Sequence, residues 1–203
     1  MSPTSTSSHS SEPLPILLAN TVSIARGRVE DALADPSKVN GWVGTTGEQF
    51  ALFPPPSSTE HIDESDAVRL VSLRDAVRRL AAEKTRDPRT LGQSPVTDVA
   101  TATSILNASA ALGSVWPELQ WHGPEAFRRD VWADGTYVDA LTTIIARQTM
   151  ELMTSPQWDR LRPCLAPGCA YFFVKDHLRR QWCAAACGNR ARVARHAQRH
   201  STD

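Results

Sequence analysis

The first 163 residues of this 203-residue sequence contain no cysteine, and no apolar run approaches the roughly 18 residues that a membrane helix needs. No basic segment precedes the short apolar stretch near the start, so an export signal is not expected. We therefore expect a cytoplasmic protein without membrane contact. Aromatic residues are few, at 6%, but 41% of residues are hydrophobic, which suffices for one domain with a small appendage.

Signatures of catalysis are also missing. The sequence has no glycine-rich phosphate loop, no His-Glu-x-x-His motif and no credible set of nucleophile, base and orienting acid. We therefore expect that the protein is not an enzyme.

A net charge of zero conceals an uneven distribution. Residues 159–203 carry nine Lys or Arg against three Asp or Glu, a formal +6, and residues 1–158 carry a formal −6. A local excess of cations in a short segment is typical of surfaces that bind phosphate. The two regions are therefore expected to meet different partners.

The expected organisation has three parts. Residues 2–11 include eight Ser or Thr and no large apolar side chain, so we expect a disordered tail at 1–13. A helical domain is expected at 14–155 and a zinc-binding domain at 156–203. Three prolines followed by two serines predict a loop at 53–58.

Hydrophobic periodicity predicts that the fold is mainly α. A helix with one buried face is expected where Leu70, Leu73, Val77 and Leu80 recur at spacings of three and four, with Asp75 and Arg78 placed off that face. The same periodicity predicts a long helix over 137–153.

Weaker patterns predict the other elements of the first domain. They are a helix from Leu14 that a proline ends near Asp35-Pro36, a short helix over 36–45, a helix from Ser94-Pro95 to Gly113 with Val99, Ala102, Leu106 and Leu112 inward, and two short strands within 115–133.

The four cysteines form two close pairs, Cys164 with Cys169 and Cys183 with Cys187, separated by thirteen residues. In a reducing cytosol such pairs favour zinc over disulfides, because Zn²⁺ takes four soft ligands at tetrahedral positions. We expect one structural zinc ion. His177, between the pairs, remains an alternative fourth ligand.

A basic helix is expected from about Cys183 onward, because the residues there are strong helix formers. At 100° per residue, both cysteines of the second pair and Arg190 fall on one face, with Val193 and Ala197 near them. Three arginines, Arg192, Arg195 and Arg199, fall on the opposite face. The helix would then have a zinc face and a cationic face.

The run from Trp182 to Arg190, with Cys187-Gly188-Asn189-Arg190 at its end, resembles the CGNR zinc-finger family. Those proteins carry a mostly helical N-terminal domain called ABATE, to which the runs 17–21 and 73–76 are similar. One departure is the second cysteine pair, which is separated by three residues here and usually by four in the family.

The resemblance implies a bacterial transcription regulator whose helical domain senses a small-molecule effector of unknown identity or forms a homodimer. DNA would be contacted by Arg192, Arg195 and Arg199, with Lys175, Arg179 and Arg180 as further candidates, and Trp182, Gly188, Asn189 and Arg190 would support the zinc site. Two alternatives stay open. One is a protein-interaction module with a purely structural zinc, and the other is a thiol redox switch.

Overall fold

The computed structural model describes residues 12–50 and 62–200, and about half of the chain is helical. The predicted loop at 53–58 and most of the predicted N-terminal tail lie outside these residues. The described part contains six α-helices and three two-stranded antiparallel sheets. The expected mainly α fold is therefore confirmed.

The helices are α1 (Leu14–Ala19), α2 (Pro36–Phe50), α3 (Glu64–Thr85), α4 (Val99–Ala110), α5 (Tyr137–Met153) and α6 (Ala185–His200). The strands pair as hairpins: β1 (Val22–Ala25) with β2 (Arg28–Asp31), β3 (Val115–His122) with β4 (Glu125–Trp132), and β5 (Leu161–Pro163) with β6 (Phe172–Val174).

The core forms where α3 packs against α1, α4 and α5. The predicted apolar stripe of α3 is confirmed, since Leu70, Leu73, Val77 and Leu80 are all buried. Asp63 caps the N-terminus of α3 by accepting a hydrogen bond from the backbone N–H of Asp66. The predicted helix over 137–153 is confirmed as α5, which has a similar capping box.

Two charged residues of α3 were placed wrongly by the periodicity. Asp75 and Arg78 are buried, because other elements cover α3 on more than one side. Arg74 donates to Asp31 at 2.5 Å and to Asp75 at 2.9 Å, which compensates the buried charge of Asp75. Arg78 has no such carboxylate partner among the ion pairs of the described residues.

The prediction of a helix from Leu14 to Asp35 is wrong beyond Ala19. The chain turns at Arg26 and Gly27, both with positive φ, and this two-residue turn closes the β1–β2 hairpin. Pro36 begins α2 instead of ending a helix, which suits proline because the first helical N–H needs no partner. Val39 and Val43 of α2 are buried as expected.

The fourth helix begins later than Ser94-Pro95, because Asp98 supplies the cap by accepting from the N–H of Thr101 at 2.7 Å. Ala102 and Leu106 face the core as predicted. Val99 and Leu112 do not, since they lie at the two ends of the helical segment and are exposed.

The two strands expected within 115–133 form a regular hairpin of eight residues per strand, closed by a two-residue turn at Gly123 and Pro124. Leu119 and Trp121 near its tip are 73% and 68% exposed. Within the described chain no helix combines the length and apolarity that crossing a bilayer requires.

Candidate metal centre and basic helix

The first cysteine pair is positioned by the β5–β6 hairpin. Cys164 directly follows β5, and its backbone N–H donates to the carbonyl of Tyr171 at 2.8 Å, which holds the two arms of the loop together. Cys169 donates its N–H to the carbonyl of Ala166, and Gly168 adopts a φ of +67° in this turn. The loop therefore bends back so that both sulfurs point to one place.

The second pair lies at the start of α6. Cys187 is in the first turn of the helix, with its N–H donating to the carbonyl of Ala184 at 3.1 Å. Cys183 precedes Ala185, where the helix begins, so the expectation that both cysteines lie within the helix is wrong for Cys183. Its position just before the helix still directs its sulfur to the same point as that of Cys187.

The four sulfurs converge. All lie within 4.8 Å of one another, and three pairs are separated by 3.4 to 3.8 Å. A tetrahedral ion with sulfur about 2.3 Å away has sulfur–sulfur edges of about 3.8 Å, whereas a disulfide needs about 2.05 Å. All four cysteines are free and buried. The residues therefore fit one structural zinc ion, and we call them the cysteine cluster.

Close packing of the thiols perturbs their titration. Hydrogen bonding with the Cys169 side chain lowers the pKa of Cys164, and hydrogen bonding with the Cys164 side chain raises the pKa of Cys183. Four thiolates at these separations would repel one another strongly without a cation. A bound Zn²⁺ would hold all four in the thiolate form and leave a net charge of −2.

Part of that negative charge is offset by Arg190. Its residue surface is exposed, but its Nη2 donates to the Cys187 sulfur at 3.1 Å, so the guanidinium lies at the cysteine cluster as its helical angle indicated. The positive end of the α6 dipole lies at the same cluster.

Trp182 and Gly188 fit together beside the cluster. Trp182 is partly buried and packs on it, and a Cβ on Gly188 would come within 3.1 Å of the indole Cδ1. The side-chain oxygen of Asn189 accepts a hydrogen bond from Arg192. His177 is exposed, and among the described residues the group of potential metal ligands consists of the four cysteines. The fourth ligand is therefore not His177 in this arrangement.

Arg180 differs from the solvent-exposed phosphate contact that we expected. Its side chain is 13% exposed, its Nη2 pairs with Glu12 at 2.5 Å, and it also donates to the carbonyls of Val174 and Cys183. Its guanidinium lies 4.9 Å above the Phe173 ring. Arg180 therefore links the end of β6 to the second cysteine pair, because one guanidinium donates to carbonyls of both.

Glu12 corrects the expected extent of the N-terminal tail. It is buried, and its other carboxylate oxygen accepts from the N–H of Val174 at 2.9 Å. The sequence did not predict this buried contact, because Glu12 is a charged residue that follows a Ser-rich segment. Residue 12 is therefore part of the fold and contacts β6.

Asn20 is the second link between the two regions. Its side-chain amide donates to the Phe172 carbonyl at 2.9 Å, and its oxygen accepts from the Phe172 N–H at 2.8 Å. The sequence shows a polar residue within an apolar run at this position, but only the structure identifies its hydrogen-bond partner. Asn20 thus fixes β6 against the helical domain.

Arg89 is a contact residue that the sequence analysis missed. Its Nη1 donates to the carbonyls of Tyr171 and Cys169 at 2.9 and 3.2 Å and approaches that of Cys164 at 3.5 Å. Asp87 holds the guanidinium through both carboxylate oxygens. One arginine from the helical domain therefore braces the loop that carries the first cysteine pair.

The basic residues of α6 lie on the surface. Arg192, Arg195 and Arg199 are exposed, and we call these three the basic face. Val193 and Ala197, which we expected near the zinc face, are both exposed, Val193 by 69%, whereas Ala191 is buried. Arg179 is exposed and Lys175 is partly exposed on the irregular segment that follows β6.

Comparison with known families gives two matches. A profile called ABATE, described as "Putative stress-induced transcription regulator", matches residues 12–156, and a CGNR zinc-finger profile matches residues 160–200. The second match contains the cysteine cluster and all of α6. No curated protein matches the chain.

Proposed function

The chain belongs to the ABATE family and carries a CGNR zinc finger, and from this premise we propose that it regulates transcription by placing α6 on duplex DNA. Both families are of regulatory or zinc-finger type. The observation that carries the proposal is the arrangement of α6, which attaches to the cysteine cluster on one side and presents the basic face on the other.

The geometry of α6 supports contact with phosphates. Residues 192, 195 and 199 are spaced by three and four, so their side chains follow one stripe along the helix. Arginine suits this role because its planar guanidinium binds phosphate oxygens or the O6 and N7 edge of guanine through two hydrogen bonds. The major groove of B-DNA is about 12 Å wide and admits an α-helix. α6, with 16 residues, can carry this stripe into it.

Two residues outside α6 extend the same positive surface in our proposal. Lys175 and Arg179 follow β6, on the segment that leads to the second cysteine pair. We assign them auxiliary phosphate contacts. Arg180 is not included, because Glu12 and backbone carbonyls occupy its donors.

The zinc ion has an architectural role in this account. Four protein ligands leave no open coordination position for a substrate, as in structural zinc sites generally. Cys164, Cys169, Cys183 and Cys187 would hold the ion, which would supply the attachment that orders the start of α6. The protein residues then determine where the basic face points.

For the helical domain we propose self-association through the β3–β4 hairpin. An isolated two-stranded hairpin is marginally stable in water, and here Leu119, Trp121 and Phe127 are exposed. The outer edge of β3 carries Pro117, which has no N–H to donate. The proposed contact is therefore β4 with β4 of a second copy.

The charges of β4 select one register. With Phe127 opposite Phe127 of the second copy, Glu125 lies opposite Arg129 on both sides of the two-fold axis. Because a two-residue turn closes the hairpin, the backbone N–H and C=O groups of Ala126 and Arg128 point away from β3. Ala126 of one copy can therefore pair with Arg128 of the other. The register gives no like-charged pair within 125–129.

The test of DNA binding is selection from a random duplex pool with the zinc-loaded full chain, followed by titration of the selected duplex over a range of salt. Contact with three to five phosphates predicts a slope of log affinity against log salt of about −3 to −5. A flat response with no enriched sequence would reject the proposal. Retention of a stoichiometric protein partner instead would support the interaction-module alternative, and zinc release by mild peroxide would support the redox alternative.

A further inference from the structure

A cavity of about 440 Å³ lies between α3 and the segment 86–97, and Phe172 of β6 forms part of its wall. Its size falls within the range of small-molecule binding sites. It lies where the helical domain meets the zinc-binding region, and we call it the seam cavity. None of the family descriptions assigns a role to this place.

The lining of the seam cavity carries excess positive charge. Among the described residues that line it are four arginines, Arg78, Arg79, Arg86 and Arg89, and two carboxylates, those of Glu83 and Asp87. Each carboxylate already has a partner, since Arg79 pairs with Glu83 at 2.9 Å and Arg89 pairs with Asp87 at 2.6 Å. Two formal positive charges in the lining are therefore not matched by lining carboxylates.

Arg78 is the buried member of this set. It is 3% exposed, and its guanidinium donates to the carbonyls of Ala19, Gly92 and Ala170. Its Nε is buried without a hydrogen-bond partner, and no carboxylate forms an ion pair with it among the described residues. Burial lowers the pKa of Arg78 to about 10, so the group is still charged at neutral pH. The charges of Asp75 and Asp87 act on Arg78 from a distance, but burying a cation without a direct ion-pair partner is costly.

The rest of the lining is partly apolar. Leu91, Val96, Ala82 and the Phe172 ring contribute to the wall. A ligand that matches this surface needs an apolar body and a negatively charged head group. We propose that the seam cavity binds a small organic anion through a carboxylate or phosphate head group that neutralises the Arg78 side of the site.

Occupancy of the seam cavity can reach the cysteine cluster through Arg89. The same guanidinium that lines the cavity donates to the carbonyls of Cys169 and Tyr171 in the zinc-binding loop. An anion that draws on Arg89 competes with these carbonyls and changes how the loop is braced. This regulatory consequence rests on the proposed function, whereas anion binding does not.

The binding test is calorimetric titration of the zinc-loaded full chain with hexanoate, benzoate and phenyl phosphate, each compared with a neutral analogue such as hexanamide, benzamide or phenol. At least one anion is expected to bind about tenfold or more tightly than its neutral analogue, because a charged hydrogen-bond partner is gained. The carboxylate and phosphate arms identify the head group. Equal or absent binding for anions and neutral analogues would overturn the proposal.

Variants locate the site. Arg78→Gln should weaken binding of the anion by about tenfold or more. Leu91→Trp should fill the cavity with a larger side chain. Because Leu91 is exposed on a loop, this variant is expected to fold even if Arg78→Gln does not. Arg28→Gln, at an exposed arginine of β2, is the matched control and should bind normally. Unchanged binding in Leu91→Trp, or equal losses in the Arg28 control, would show that the anion does not occupy the seam cavity.

A separate measurement tests the regulatory consequence. The selected DNA duplex is titrated with and without the best anion, and a change of threefold or more in affinity that Leu91→Trp removes is expected. An unchanged DNA affinity while calorimetry still detects the anion would reject the coupling alone. A chain that binds no DNA would reject the proposed function, and calorimetry would still decide whether the cavity binds anions.

Discussion

The helical domain encloses large aliphatic side chains such as Leu70, Leu141 and Ile145. In the part of the chain that the structure describes, the buried cluster around the metal site contains six residues, four of them cysteines. The first region can therefore be stabilised by the removal of apolar surface from water, and the second depends on what holds its sulfurs together. The same division appears in charge, since the N-terminal region is acidic and the C-terminal region is basic.

The boundary between the two kinds of stabilisation does not coincide with the boundary in sequence. Trp158, Leu161 and Phe172 share a buried cluster with Ile16 and Leu152, so the β5–β6 hairpin packs on the helical domain through apolar contact. Metal loss should therefore release α6 while leaving β5 and β6 docked.

The largest expected effect is that of Cys183→Ser. Structural zinc contributes an apparent free energy of about 10–16 kcal/mol to small domains, so loss of one ligand should abolish stoichiometric zinc and order in α6. Metal analysis and hydrogen exchange check this result. Amide protons of α3 and α5 serve as the internal control and should keep their protection. Loss of protection throughout the chain would show that the two regions do not differ as described.

The next effect separates charge from folding. Replacing Arg192, Arg195 and Arg199 together with Ala should weaken duplex binding about 100-fold or more and lower the salt slope by about 3, because three phosphate contacts are lost. Zinc content should not change. The matched control replaces Arg26, Arg28 and Lys38, three exposed basic residues of the helical domain, and should bind normally. Equal losses in both triple variants would contradict a specific role for the basic face.

A smaller effect is expected for Asn20→Ala, which removes both hydrogen bonds to Phe172. Leaving these partly buried backbone groups without partners should destabilise the docking of β6 by about 2 kcal/mol. Hydrogen exchange at 161–174 measures the change. Asn107→Ala, at an exposed position of α4, is the control. Identical exchange in both variants would indicate that the apolar cluster alone holds the hairpin.

The smallest effect concerns self-association. Phe127→Glu would place two like charges opposite each other at the centre of the proposed β4 pairing and should raise the dimer dissociation constant roughly tenfold. Sedimentation velocity measures this change, with Val29→Glu on β2 as a control of similar exposure. Zinc and DNA binding by one copy should be unaffected. A chain that is monomeric before substitution would remove this part of the proposal.

The elements that the sequence predicted best are those in which local pattern and tertiary packing agree. The periodicity of Leu70 to Leu80 and of 137–153 located α3 and α5, and the cysteine spacing identified the cluster. Prediction failed at Asp35-Pro36, because proline occurs both where a helix ends and where one begins. Here it begins α2, and the β1–β2 hairpin separates α2 from the first helix.

The contacts between the regions could not be predicted from the sequence. Glu12 meets Arg180 and Asn20 meets Phe172 across more than 150 residues, and neither pair has a local pattern that identifies its partner. Arg180 shows the consequence, because an arginine in a basic segment is indistinguishable from a phosphate contact until its acidic partner is placed. The burial of Arg78 was hidden too, because the carbonyls that it contacts, such as those of Ala19 and Ala170, are distant in sequence.

The central claim is that four sulfurs of one chain surround one zinc ion and thereby order α6. X-ray absorption at the zinc edge of the purified full chain tests it most directly. The account predicts one zinc per chain with four sulfur neighbours at about 2.3 Å. A shell that contains nitrogen or oxygen ligands, or a protein whose cysteines are joined as disulfides without zinc, would contradict it.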